Sequence, residues 1–215
     1  MDDPVSRTLA AYEGLAPEYR ERHDDRSVVA ESVERFDRAL ADARESGPLT
    51  TDRPARVLDV GCGPGWEAAT FADRGHDVTA VDLTPAFLDQ AGEVAPNAAR
   101  VRMDMRTLGF ASRVFDGLWV CASFLHVPRE DAAETLAGFR RVLRPGGVLF
   151  CAVQRGEGER DTEASPYEAD DERRFTLYGE DEFRSLVASA GFERVETSVD
   201  DDHWIQSLAR VPGRE

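Results

Sequence analysis

The sequence predicts an α/β fold with a doubly wound parallel sheet, and three observations support this prediction. Short apolar segments alternate three times with segments of helical periodicity between residues 56 and 153. The first of these apolar segments, residues 56–60, leads directly into three glycines at alternate positions. The last two apolar segments are joined only by residues 200–202, and so short a connection predicts an antiparallel pair.

Length and composition predict one α/β domain over residues 1–215. All 26 basic residues are arginine, and the formal net charge is −16 with a sequence pI of about 4.7. An acidic surface without lysine predicts a halophilic protein, because high salt screens the repulsion between surface carboxylates. GC-rich codon usage is the alternative, but it explains only the preference for arginine and not the excess of acids.

The composition also excludes several kinds of chemistry. Without lysine there is no P-loop lysine, no Schiff-base lysine and no Tyr-x-x-x-Lys dehydrogenase pair. The acidic balance argues against nucleic acid as a partner. Cys62, Cys121 and Cys151 lie far apart, so neither a disulfide framework nor a metal site is predicted. No apolar run reaches membrane-span length and the N-terminus lacks signal-peptide features, which predicts a cytoplasmic protein without membrane contact.

The N-terminal segment, residues 1–50, is predicted to form a helical cap over the carboxyl edge of the sheet. Residues 12–19 carry apolar side chains at helical spacing, although Gly14 and Pro17 are expected to interrupt this first helix. Residues 27–46 have a clearer apolar stripe and predict a second helix.

The core of the fold is predicted at residues 54–211. Thr84 and Pro85 indicate a helix start, and Gly75 and Gly191 indicate helix ends. The predicted strands are residues 56–60, 77–81, 100–103, 114–122, 148–153, 193–199 and 204–211, and the main predicted helices are residues 66–74, 129–143 and 180–190, with one more beginning at Pro85. The polar, acid-rich residues 155–175 predict a lid loop or a disordered segment.

An acid lies at or near the end of each of the first three strands. A strand that turns through glycines into a helix brings backbone amides close to a nucleotide-like ligand. Asp82, 23 residues beyond Asp59, is placed to accept hydrogen bonds from a ribose diol, or alternatively favours the dipole of the next helix. Asp104 with Met105 would contact a heterocycle, the carboxylate accepting from an exocyclic amine.

These motifs resemble those of the class I S-adenosylmethionine (SAM)-dependent methyltransferases that act on small molecules. The segment Asp-Val-Gly-Cys-Gly-Pro-Gly at 59–65 is similar to the family's glycine motif, 81–83 to its ribose motif and 104–105 to its adenine motif. Residues 115–127 and 143–148 are similar to its fourth-strand motif and to the turn before its fifth strand. The resemblance implies a Rossmann-like sheet of seven strands in the order 3-2-1-4-5-7-6, with strand 7 antiparallel.

The resemblance also implies a cofactor site. SAM would be the methyl donor and S-adenosylhomocysteine (SAH) the product. Tyr19 resembles a tyrosine that many members place near the methionyl end, or alternatively packs between helices. The remaining contacts carried over are Asp59, Gly61, Cys62, Gly63 and Gly65 for the methionine part, Asp82 and Leu83 for the ribose, Asp104 and Met105 for the adenine, and Cys121 beside the cofactor.

The acceptor site is less clearly marked. The chain lacks the Asn/Asp-Pro-Pro-Tyr/Phe motif after the fourth strand, which argues against N-methylation of a nucleobase. The candidate acceptor-binding residues are Ser123, His126, Arg155 and Tyr178. His126 is the candidate general base or, alternatively, orients its loop. Arg155 would hold an anion or lie on the surface, and Tyr178 would line an apolar pocket or pack in the core.

The sequence therefore predicts a SAM-dependent methyltransferase that acts on a small molecule by proximity and in-line orientation. A SAM-binding regulatory module without catalysis is one alternative. A nicotinamide-dependent oxidoreductase is another, but its glycine fingerprint would need a glycine where Trp66 stands.

Overall fold

The computed structural model describes residues 4–45, 47, 49–162, 167, 171–200 and 203–213. Helices and strands alternate along most of the chain. In order, the elements are α1 Pro4–Arg22, α2 Ser27–Glu45, β1 Arg56–Val60, α3 Trp66–Asp73, β2 Asp77–Asp82, α4 Pro85–Val94, β3 Ala99–Arg102, β4 Phe115–Cys121, α5 Ala132–Val142, β5 Leu143–Gln154, β6 Glu159–Asp161, β7 Arg174–Thr176, α6 Glu180–Ser189, β8 Glu193–Val199 and β9 Trp204–Arg210, with short 3-10 helices at Met105–Thr107, Phe124–His126 and Arg129–Asp131.

The main sheet has seven strands in the order β3-β2-β1-β4-β5-β9-β8. The five strands from β3 to β5 pair in parallel, and β9 runs antiparallel to both of its neighbours. Since β8 and β9 are the sixth and seventh strands of this sheet, the predicted order 3-2-1-4-5-7-6 is confirmed. The short strands β6 and β7 form a separate antiparallel pair that the sequence did not predict.

Helices cover both faces of the sheet because the buried strands are apolar on both sides. One face carries α5 and α6, where Phe139 and Phe183 pack on Leu118 and Val153. The opposite face carries α2 and α3, where the Phe36 and Trp119 rings lie 5.5 Å apart. Thus most of α2 forms part of a helical layer on the sheet, while α1 and the first residues of α2, Val28, Val29 and Ser32, lie at the cavity on the carboxyl edge.

Helix α1 departs from the prediction, because it runs without a break through Gly14 and Pro17. An interior proline removes one intrahelical hydrogen bond and crowds the preceding turn. Tertiary contacts offset this cost: Leu15 and Ala16 are buried, and the Gln90 amide donates a hydrogen bond to the Ala16 carbonyl over 3.0 Å. The prediction of an interrupted helix was therefore wrong.

Strand β5 begins earlier than predicted. Leu143 lies opposite Phe115, but the next register pair joins Val148 to Gly117, so the intervening turn residues bulge out of the sheet. The positive φ of Gly146, 80°, suits this bulge. Further along the chain, β6 and β7 lie within the segment predicted as a lid loop, and residues 163–166 and 168–170 of that segment lie outside the described residues.

Candidate functional site

A cavity of 780 Å³ lies at the carboxyl edge of the sheet, where the sequence placed the site. Its floor is formed by the turns that follow β1, β2 and β4 and by the end of β5. Helix α1 and the β6–β7 pair cover it from above, with Tyr12 and Phe175 facing inward. This is the position at which open α/β sheets bind their ligands.

The glycine turn is held tightly against β2. The backbone amides of Gly61 and Cys62 both donate to the Val81 carbonyl, over 2.7 and 3.0 Å. Gly61 has φ 71°, and a Cβ there would lie 2.3 Å from the Cβ of Ser123. Only glycine fits at this position, because both the left-handed backbone and the close approach exclude a side chain. Gly65, with φ 90°, then starts α3.

Asp82 is buried at the end of β2, and its carboxylate is oriented by the backbone. One oxygen accepts from the Gly63 amide over 2.9 Å and the other from the Thr84 amide over 2.8 Å. Burial raises the pKa of this carboxyl group, and the backbone hydrogen bonds oppose that effect. Asp82 also lines the cavity, so its carboxylate is placed to face a ligand diol. Leu83 lines the cavity beside it.

Asp59 lies beneath the glycine turn and outside the cavity lining. Its Oδ2 atom is buried without a hydrogen-bond partner among the described residues. Burial raises the pKa of this carboxyl group well above its usual value, and the charges of Glu67 and Asp82 add to the effect. Glu67 itself lines the cavity and forms an ion pair with Arg26 over 2.6 Å. Of these two acids, Glu67 faces the cavity, and Arg26 balances its charge.

Asp104 and Met105, the predicted adenine contacts, both line the cavity. Asp104 also accepts two hydrogen bonds from the guanidinium of Arg106, at 2.7 and 3.0 Å on Oδ2. Burial would raise the pKa of Asp104, but the hydrogen bonds from Arg106 outweigh it and lower the pKa. Arg106 thus keeps this carboxylate ionised at the cavity wall, a contact that the sequence reasoning missed.

Tyr19 and Cys121 lie on the cavity wall above the glycine turn. The Tyr19 ring stacks on His23 with centroids 4.3 Å apart and meets the Tyr12 ring edge-on at 5.8 Å. Tyr19 therefore belongs both to the cavity wall and to the packing of α1. Burial raises the pKa of the Cys121 thiol, so it stays protonated.

His126 lies in the 3-10 helix after β4, with both ring nitrogens engaged. Nδ1 donates to the Arg174 carbonyl over 2.8 Å, so Nε2 of the neutral ring accepts from the Tyr12 hydroxyl, also over 2.8 Å. Burial lowers the pKa of His126 to about 4. Arg173 donates to the same Tyr12 hydroxyl over 3.3 Å. This arrangement supports the loop-orienting interpretation of His126, since its basic nitrogen is occupied.

Tyr12 was not predicted as a site residue, although its spacing from Tyr19 in the sequence could have identified it. It lies seven residues before Tyr19, which places the two rings on the same face of a helix. A break at Gly14 would have separated Tyr12 from Tyr19, and the continuous helix instead joins the two tyrosines into one aromatic wall.

The other acceptor candidates divide between the cavity and the core. Ser123 lines the cavity, but its hydroxyl donates to the Val60 carbonyl over 2.7 Å and so ties the loop to β1. Arg155 follows the end of β5, where it forms an isolated bridge with Tyr178, and its exposed side chain does not line the cavity. Tyr178 is 1% exposed and packs against Phe124 and Phe183. Tyr178 and Arg155 are therefore corrected to positions outside the site.

Two negative findings apply to the described part of the chain. No group of three or more His, Cys, Asp or Glu side chains is arranged to hold a metal ion. No helix there is long and apolar enough to cross a membrane.

The fold and the cavity define an α/β protein that binds a nucleotide-like cofactor at the edge of its sheet. Residues 57–147 match the family model described as a methyltransferase domain. The structure resembles 1,6-didemethyltoxoflavin-N1-methyltransferase of Burkholderia thailandensis, solved with 1,6-didemethyltoxoflavin and SAH, with a TM-score of 0.76 over 99% of this chain and 92% of that chain at 22% identity. Residues 57–147 thus match a methyltransferase domain, and the chain shares the fold of the SAM-dependent methyltransferases, whose cofactor is SAM.

Curated relatives carry different names. The chain is 34% identical over 154 residues to a malonyl-[acyl-carrier protein] O-methyltransferase of Enterobacter lignolyticus, a match that covers 68% of this chain and 53% of that protein. It is 28% identical over 204 residues to the SAM-dependent Diels-Alderase iliD of a Neonectria species, covering 85% of this chain and 77% of that protein. The chain spans about half the length of the curated relatives it matches first.

Proposed function

We propose that this protein transfers the methyl group of SAM to a small-molecule acceptor and releases SAH. The observation that carries the proposal is the glycine turn with Asp82, because Gly63 and Thr84 orient a buried carboxylate towards a cavity at the sheet edge. A cavity of 780 Å³ is large for a cofactor alone, which leaves room for an acceptor beside it.

The residues present fit the cofactor. The carboxylate of Asp82 lines the cavity and can accept from the ribose hydroxyls, and Gly63, whose Cβ position is open, allows the close approach of a ligand. The carboxylate of Glu67 lines the floor, where it can accept a hydrogen bond from the ammonium group of the cofactor while Arg26 balances its charge. Met105 supplies apolar contact for the adenine ring.

Catalysis would rest on orientation rather than on a general base. When SAM is bound, its sulfonium supplies the electrophilic methyl group. The chain's own contribution is to hold the acceptor in line and to exclude water beneath α1. Among the described cavity residues, His126 has both nitrogens engaged, and burial raises the pKa of Tyr12 to about 12. Neither side chain is set up to remove a proton, so the acceptor would enter as a ready nucleophile.

Two alternatives come from different functional classes. A SAM-binding protein that does not transfer methyl groups is one, and the similarity to a SAM-dependent Diels-Alderase keeps it in view. A nicotinamide-dependent oxidoreductase is the other. Trp66 in place of the third fingerprint glycine speaks against it.

The test has two stages. In the first, thermal stability is measured in high salt with SAM, SAH and NAD, and we expect the first two to raise the melting temperature. Stabilisation by NAD alone would overturn the proposal. In the second, SAM with a labelled methyl group is incubated with the protein and a metabolite extract of the source organism. Labelled product that requires the protein supports methyl transfer, whereas cofactor binding without labelled product supports the non-catalytic alternative.

A further inference from the structure

We propose that Arg160 holds the carboxylate of an anionic acceptor, so that the acceptor class is a small carboxylic acid with an apolar body. The inference rests on the proposed function, because it assigns the part of the cavity that the cofactor does not occupy. It depends on three observations: the faces of the β6–β7 pair, the pairing of the cavity arginines, and the unused donors at the end of β5.

In the β6–β7 pair, the basic side chain of Arg160 and the acidic side chains of β6 lie on opposite faces. Arg160 lies opposite Phe175 in this antiparallel pair, and both side chains line the cavity. The neighbouring acids point the other way: Glu159 forms an ion pair with Arg174 over 2.9 Å, and Asp161 lies 3.8 Å from Arg7. Because side chains alternate along a strand, the pair presents one cation and one aromatic ring to the cavity and keeps its acids outside.

The other arginines of the cavity wall are already neutralised. Arg26 pairs with Glu67 over 2.6 Å, Arg106 with Asp104 over 2.7 Å, and Arg173 with Asp171 over 2.7 Å. Among the described residues Arg160 has no carboxylate partner, and its only side-chain hydrogen bond goes to Oε1 of Gln154, over 3.1 Å. In a chain of net charge −16, an uncompensated guanidinium at a cavity is a specific place for an anion.

Further hydrogen-bond donors lie beside Arg160, in a corner of the cavity that Gln154 and Trp204 also line. Gln154 and Trp204 are opposite one another in the β5–β9 register, and both line the cavity. Side chains at directly opposite positions stand on the same face within about 5 Å. The Gln154 Nε2 and Trp204 Nε1 groups donate no hydrogen bond within the described residues. The nearby Asp200 carboxylate is occupied by the Trp204 amide, at 2.8 Å, and by the Gln206 side chain, at 3.1 Å.

This corner therefore offers N–H donors without acceptors, next to aromatic surface from Phe175 and Trp204. A guanidinium fork matches the two oxygens of a carboxylate, and the amide and indole N–H groups can donate further hydrogen bonds to the same oxygens. The rings would cover the apolar or aromatic part of the acceptor. An acceptor that carries a carboxylate on such a group satisfies both the donors and the rings, whereas a neutral acceptor could not form an ion pair with Arg160.

The experiment compares matched pairs of probes on SAH-saturated protein by isothermal titration calorimetry at one fixed potassium chloride concentration. The probes are benzoate with benzamide and phenylacetate with phenylacetamide, which differ in charge but little in shape. We expect wild type to bind the carboxylates at least tenfold more tightly than the amides. Arg160→Gln should reduce this ratio to near one. Arg155→Gln, which removes the same charge outside the cavity, should keep it.

Each result decides a separate question. Equal binding of acid and amide to wild type, no detectable binding of either, or a preference that survives Arg160→Gln would overturn the role of Arg160. SAH affinity is measured in all three proteins as the reference, and we expect it to be unchanged. If SAH does not bind wild type, the proposed function fails instead, so the two failures are distinguishable.

Discussion

The hydroxyl group of Tyr12 donates a hydrogen bond to Nε2 of His126 over 2.8 Å, although 114 residues separate the two in sequence. This bond joins α1 to the loop after β4. The other ring nitrogen of His126 donates to the Arg174 carbonyl in β7. One imidazole ring thus connects three of the elements that enclose the cavity.

Removing the Tyr12 hydroxyl tests this connection. Tyr12→Phe would leave buried groups of His126 and Arg173 without their partner, and we expect the free energy of unfolding to fall by about 1–3 kcal/mol. Tyr178→Phe is the matched control, because the Tyr178 hydroxyl is buried without a hydrogen-bond partner among the described residues. The control should be neutral or stabilising. Denaturant unfolding of both variants gives the answer, and equal losses would contradict the assignment.

The pH dependence of stability should report on His126. Its pKa is lowered from 6.5 to about 4 by burial, so below pH 6.5 the unfolded chain binds a proton that the folded chain does not. The contribution of His126 to the free energy of unfolding is therefore fully present above pH 6.5. It falls by up to about 3 kcal/mol as the pH drops to 4. His126→Gln removes the titration. Urea unfolding of both proteins between pH 7 and pH 4.5 isolates the effect, because the opposite contributions of Asp59 and Asp82 cancel in the difference.

Asp82→Asn should weaken the binding of SAH by about 10- to 100-fold, because hydrogen bonds to a charged acceptor contribute roughly 1.5–3 kcal/mol. Asp77→Asn is the control: it makes the same change at the exposed start of the same strand. Calorimetric titration with SAH measures both. Retained affinity in Asp82→Asn would remove the ribose assignment.

Gly61→Ala should destabilise the protein more than Gly75→Ala does. Both glycines have positive φ, 71° and 87°, so alanine at either position costs about 1–2 kcal/mol of backbone strain. Only at Gly61 would the added Cβ also meet a neighbour, Ser123 at 2.3 Å. We expect the additional loss, and a loss of SAH binding, in the first variant alone. Equal melting temperatures for the two variants would contradict the tight packing of the turn.

Stability should rise between low and molar potassium chloride, because salt screens the repulsion within a chain of net charge −16. Thermal unfolding at 0.1 M and 2 M salt is the measurement, with sodium chloride as a second salt to separate screening from ion-specific effects. Equal stability in both conditions would rule out the halophilic interpretation.

The order of the sheet followed from the family resemblance, whereas the sequence by itself determined its apolar strands and the position of the glycine turn. Both are written in local patterns: apolar strands, glycines that allow positive φ at Gly61 and Gly65, and an acid at the end of β2. The same patterns identified Asp104 and Met105 at the cavity. These features depend on short stretches of chain, so the physical rules for strands, turns and helix starts suffice to place them.

Only the tertiary structure decided how the cavity is closed and which charges remain free in it. Helix α1 stays continuous through Pro17 because its burial against the core offsets a lost hydrogen bond. Arg155 and Arg160 look alike in sequence, but Arg155 lies outside the cavity just beyond β5, whereas Arg160 lines the cavity from β6. Tyr12 meets His126 only because α1 folds back over the sheet. Such contacts join residues far apart in the chain, and no local pattern specifies them.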